Sequence, residues 1–170
     1  IRLRAASSAS RLQQMKEDGI SEEEWKKTTM AMSNGKVVNF FTGSLVIDGQ
    51  NQPSQSLTLK RGVARFDLNV DVAGSAAIES LTLRNVAQSG YLFAQGEVAA
   101  SPADVERNDV TAHFDTALSA STPGVLYVYE QENAGIEVSI EAVIDGQHKV
   151  LTKTLEGNLK RNTIYTVTVR

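Results

Sequence analysis

From Ala64 to Val72 the chain alternates without a break. Ala64, Phe66, Leu68, Val70 and Val72 are apolar, and Arg65, Asp67, Asn69 and Asp71 stand between them. A period of two marks a strand with one face in a core and the other in water. A helix would scatter the same residues around its circumference. The five apolar residues are therefore expected to point into one core and the four polar ones away from it.

Similar signals recur along the chain. Asn39 to Ile47 reads as a strand that stops at Asp48-Gly49, followed by a polar loop, Gln50 to Gln55, containing Pro53. Ile78 to Val86 is another, with Leu81 and Leu83 on one face; Val110 to Leu118 and Val125 to Glu130 follow. Ile136, Val138, Ile140 and Ala142 alternate and run into Asp145-Gly146, a two-residue hairpin turn. That turn sets Ile140 opposite Leu151 and Ile136 opposite Leu155. It also sets Val138 opposite Lys153, which leaves a register one residue different as the alternative. Thr163 to Val169 closes the series, with Tyr165, Val167 and Val169 inward and Thr166 and Thr168 outward. About seven alternating strands separated by turns argue for an all-β, antiparallel two-sheet sandwich rather than a βαβ fold.

The first 35 residues differ. Ile1 to Ala5 has the pattern of a short strand, and Ser10 to Asp18 suits a helix ended by Gly19. Ser21 and Glu24 form a capping box, and Ile20 and Trp25 a hydrophobic staple around it. Glu22, Glu23 and Glu24 complement the positive end of that helix, and the run breaks at Asn34-Gly35. Trp25 has the chemistry of a ligand-stacking platform, but a staple pinning a short helix to a sheet explains it more simply. The expected organisation is one domain: residues 1–35 form a helical or irregular segment packed on the sheet, and residues 36–170 the β-sandwich.

A chain of 170 residues can bury about two-thirds of the surface it exposes when unfolded, so it needs no metal or disulfide to fold. It has no cysteine, which removes thiol nucleophiles, thiolate zinc sites and disulfides. That absence mildly favours the cytosol, an argument weakened by the many bacterial surface proteins without cysteine. The net charge is −3 with scattered basic residues, and no apolar run approaches a membrane span. Nucleic acid is therefore not an expected partner.

The catalytic inventory is short. His113 and Asp115 share one face of a strand, but the sequence names no third ligand for a metal. His148 follows the hairpin turn and reads as solvated. Gly43-Ser44 lacks the second glycine of a nucleophile elbow, and neither a phosphate loop nor a calcium loop occurs. Asp67 and Asp71 are a regular outward pair, better suited to keeping a sheet soluble than to acid–base work. The chain is expected not to be an enzyme and to use no cofactor or metal.

Four segments, in order, carry a resemblance. Leu57 to Leu68 includes a basic residue, the apolar pair Val63-Ala64, Arg65, and then Phe66-Asp67. Ile78 to Val86 is followed by Gly90-Tyr91-Leu92-Phe93. The third segment is Leu126-Tyr127-Val128-Tyr129-Glu130, and the fourth runs from Leu159 to Val167. Together they resemble the N-terminal domain of the fimbrillin-like major fimbrial subunit family, the type V pilins, over roughly Ser56 to Arg170.

The resemblance implies a transthyretin-like β-sandwich exported as a lipoprotein to the outer membrane surface, with its signal and lipid-anchor cysteine upstream. It implies assembly by strand exchange after a protease trims an N-terminal segment at a basic residue. Other fimbrial subunits are then the partners. The candidate partner strand is Ile1, Leu3 and Ala5, and the candidate processing sites are Arg2, Arg4 and Arg11. Family members have further strands upstream and a second sandwich downstream, so the chain is expected to be a fragment or processed form. The alternative is a surface β-sandwich that binds a glycan or a host or bacterial surface protein without polymerising, with Tyr127 and Tyr129 as its candidate aromatic pair. A hydrolase ranks last, for want of a nucleophile–base pair.

Overall fold

The computed structural model describes residues 13–45 and 56–170. Among the described residues, helical residues 13–17 and a short helix, Glu22–Lys26, precede eleven strands: β1 (Thr29–Ala31), β2 (Phe41–Thr42), β3 (Lys60–Arg61), β4 (Val63–Val70), β5 (Ala76–Ala87), β6 (Ser89–Tyr91), β7 (Arg107–Leu118), β8 (Thr122–Tyr129), β9 (Glu137–Ile144), β10 (Gln147–Thr154) and β11 (Ile164–Val169). Seven of them build two facing sheets, one ordered β10-β9-β5-β7 and one ordered β11-β4-β8. β1 pairs with β6, and β2 with β3, as short ribbons.

The all-β sandwich expected from the sequence is the observed architecture. Its pairings are antiparallel with one exception: β11 runs parallel to β4, from Ile164 beside Arg65 to Val169 beside Val70. Alternation does not encode direction, because either kind of pairing leaves residues i and i+2 on one face.

The core lies between the sheets. β4 contributes Ala64, Phe66 and Leu68, and β8 contributes Leu126 and Val128. They meet Ile78, Leu81 and Leu83 from β5 and Val138, Ile140 and Ala142 from β9. Phe66 is fully buried, and its ring stacks on Tyr165 at 5.3 Å. Val70 and Val72 are half-buried against the same core. On β5 the bulge between Ile78 and Ser80 shifts the alternation, so that both Ile78 and Leu81 point inward.

The hairpin register is the one expected. Ile140 faces Leu151 and Val138 faces Lys153, and the Leu155 N–H donates to the Ile136 carbonyl at 2.9 Å. Asp145 and Gly146 carry φ of 50° and 78°, the left-handed pair that a two-residue turn requires.

Two expectations are corrected. Asn39 to Ile47 does not form one strand: within its described residues only Phe41–Thr42 is paired, with Lys60–Arg61. Gly43 lies against residues 57–59 so closely that a Cβ there would run into the Thr58 carbonyl oxygen. The helix opened by Ser21 also stops well before Asn34. Its capping box forms, but Lys27 ends it, and Thr29–Ala31 pairs with β6 instead. A sheet partner outweighs the weak helix propensity of Thr28 and Thr29.

The outer face of the three-stranded sheet is covered at one end. Tyr129 is fully buried there, with the Phe40 ring 6.3 Å away. Its hydroxyl donates to the Ala31 carbonyl at 3.1 Å and accepts from the Val38 N–H at 2.9 Å. Burial raises its pKa, against the Val38 bond. Gly90 lets β6 approach: a Cβ on it would sit 2.5 Å from that of Tyr129.

Further along this face Arg65 forks onto Asp67, with Nε to Oδ1 at 2.6 Å and Nη2 to Oδ2 at 2.8 Å. The Gly124 N–H adds a bond to Oδ1 at 2.7 Å. The Arg65 fork is the main cause holding the Asp67 carboxyl below the usual carboxylate range.

Phe66→Ala should lower stability by about 3–5 kcal/mol in chemical denaturation, the usual cost of deleting a buried aromatic. Asp67 predicts a pH effect. Its folded pKa is depressed, so its contribution is complete above the unfolded value of about 4 and lost as pH falls through the folded pKa. Asp67→Asn should be less stable than the parent at pH 7, with the gap closing below about pH 4.

Candidate functional site

Each sheet of the sandwich ends in strands with a single partner among the described residues. On one side these are β10, paired with β9, and β11, paired with β4. A groove of about 650 Å³ runs between them. Val138 and Ile140 of β9, Leu151 of β10, and Val167 and Val169 of β11 give it an apolar lining. Both bordering strands present backbone N–H and C=O groups away from their one partner, the feature by which a further strand is recruited.

The bordering strands differ in what they point inward. β11 offers Tyr165, Val167 and Val169, all packed against the core. On β10 the residues facing buried Ala142, Ile140 and Val138 are Lys149, Leu151 and Lys153. Cross-strand partners share a face, so both lysines are on the core-facing row. Lys153 lines the groove. Charged residues turned inward on an edge strand discourage unselective pairing. The sequence showed Val138 opposite Lys153, but as a conflict of register; it becomes informative only once β10 is known to be an edge.

The opposite side has a second groove, about 460 Å³, between β7 and β8. Gly35, Lys36, Val37 and Asn39 also line it, so the N-terminal layer already spans part of that side.

The candidate residues named from sequence fare differently. Ile1, Leu3 and Ala5, with Arg2, Arg4 and Arg11, lie outside the described residues. His113 and Asp115 are both exposed on β7, and among the described residues no three His, Cys, Asp or Glu are grouped to hold a metal. His148 is exposed, with Nδ1 3.5 Å from Glu79 Oε2. Trp25 is half-buried, its ring 4.5 Å from that of Phe93 in the loop after β6. The two tyrosines separate: Tyr129 is consumed by packing, and Tyr127 stays on the outer face.

Two polar clusters, one buried around Arg161 and one partly exposed around Arg107, tie loops to the strands. Arg161 donates to the Tyr91 and Leu92 carbonyls at 2.9 and 3.0 Å, and its Nε lies 3.1 Å from Glu130 Oε1, out of line for a full hydrogen bond. Arg107 bonds Glu132, Ser101 and Gln131. For Glu132, desolvation opposes ionisation, but the Ser101 bonds and Arg107 outweigh it and lower the pKa.

No family model matches the chain, and no curated protein matches it. Among solved structures it is similar to a candidate cell adhesion protein of Bacteroides fragilis, with a TM-score of 0.43 and 16% identity over 66% of this chain and 41% of that one. It is also similar to a candidate cell adhesion protein of Bacteroides ovatus, with a TM-score of 0.40 and 12% identity over 66% and 41% of the two chains. The chain thus spans less than half the length of these neighbours.

His113→Ala should leave stability within about ±0.5 kcal/mol of the parent, as a surface substitution does. A larger loss on thermal or chemical unfolding would show that His113 has a partner it lacks here.

Proposed function

We propose that the chain is a non-enzymatic subunit of fimbrial or adhesion type, exported to the outer membrane surface, which takes up a β-strand from a neighbouring subunit between β10 and β11. The observation that carries this reading is the groove itself: an apolar lining between two strands that each have one partner among the described residues. Such a site supplies main-chain hydrogen bonds along its edge and pockets for alternate side chains. The resemblance supports it. Its four segments fall on β3–β4, on β5–β6, on β8, and on the turn into β11, so they include the central and edge strands of the three-stranded sheet.

One observation favours the second reading, a surface sandwich that binds glycan or protein without polymerising. Tyr127 stays outward beside the Arg65–Asp67 pair, and Gly124 leaves room for its ring, since a Cβ there would lie 2.6 Å from the Tyr127 hydroxyl. An aromatic face next to fixed polar groups is suited to a sugar ring. Strand addition is preferred because the groove provides both parts of that interaction.

The test is truncation. A chain lacking residues 1–6 should stay folded by circular dichroism and bind a synthetic Ile1–Ala6 peptide measurably in calorimetry. Unfolding on truncation, or a folded chain that takes up no peptide, would overturn strand exchange at this end.

A further inference from the structure

We infer that the groove between β10 and β11 selects its strand by charge: Lys153 calls for a carboxylate on the groove-facing row of the incoming strand, with apolar residues two positions to either side. The inference rests on the strand-addition reading and names the partner chemistry of that same site.

The argument begins with register. Leu151, Lys153 and Leu155 form the core-facing row at this end of β10, as their partners Ile140, Val138 and Ile136 on the next strand show. Leu151 and Leu155 are half-buried against the core, whereas Lys153 between them is exposed. Among the described residues Lys153 enters no ion pair. The other cation lining the groove, Arg170, has Asp71 at 3.6 Å. Glu156 also lines the groove, but it lies beyond the end of β10.

A strand seated along β10 changes the surroundings of Lys153. Its groove-facing residues become cross-strand neighbours of Leu151, Lys153 and Leu155. Beside the leucines it gains by burying apolar side chains. Beside Lys153 it covers an ammonium group that is now in water, and a covered charge is costly without a partner. A carboxylate at that position supplies one, a lysine adds repulsion, and a leucine leaves the cost unmet. Pairing of this kind governs partner choice more than raw affinity. The row Ile1, Leu3 and Ala5 contains no carboxylate. By this rule a peptide with the Ile1–Ala5 sequence is a second-best occupant, and a strand with an acidic groove-facing residue outcompetes it.

The experiment uses the full chain and three synthetic ten-residue strands of alternating valine and threonine. They differ only at one central groove-facing position, which is Glu, Leu or Lys. The Glu peptide should bind roughly tenfold tighter than the Lys peptide at low salt, with the Leu peptide between them. The difference should shrink at 1 M salt, where screening is strong. Lys153→Glu should reverse the order, and Lys153→Met should abolish the Glu preference; both replace an exposed side chain, and circular dichroism checks their folds. If all three peptides bind the parent equally, charge selection is wrong and strand addition survives. If none binds, both fail. A preference that persists in Lys153→Met would assign the selection to another residue and overturn the role of Lys153.

Discussion

Phe66 stands at the crossing of nearly everything the two sheets do. It is fully buried in the central strand of the three-stranded sheet and stacks on Tyr165 of the parallel strand beside it. Across the other edge of β4 its partner is Leu126. A single side chain thus touches the packing of β4, β8 and β11 and seals them against β5 and β9. Close packing of this kind makes the position intolerant of lost volume. It also keeps the edge strand β11 in place, because β11 has only β4 to pair with among the described residues.

The N-terminal layer is held by polar contacts as well as apolar ones. Arg161, in the turn before β11, reaches the Tyr91 and Leu92 carbonyls while lying beside Glu130. Both side chains are nine-tenths or more buried. Pairs of this kind add little net stability but are costly to break, since removing one partner strands the other in a dry site. The Tyr129 hydroxyl does similar work between residues 31 and 38. What these contacts give is a defined position for the β1–β6 ribbon and for Val38 on the outer face of the sheet.

Much of the sandwich could be read from its residues because burial on one face leaves a period of two. That signal gave the β4 core row, the hairpin register through Asp145-Gly146 and the inward row of β11. It was silent on direction, so the parallel pairing of β11 with β4 was not legible. It also failed for the short ribbons: β1, β3 and β6 have two or three residues each, too few to show a period. The helix was recognised by its cap, and its early end was missed because the sheet partner that stops it lies some sixty residues on. The groove was the least legible part. Lys153 opposite Val138 was visible, but its meaning depends on which strands are left at an edge, a property of topology rather than of local pattern.

The parallel pairing of β11 with β4 has a mechanical side. The two strands run in the same direction, so the start of β4 and the end of β11 lie at opposite ends of one ladder. Tension between those two points does not peel the strands apart one hydrogen bond at a time. It loads the bonds from Arg65–Thr163 through Asp71–Val169 together, in shear. A chain pulled through these points yields only when the whole ladder slips, whereas the β9–β10 hairpin, pulled from its open end, unzips rung by rung.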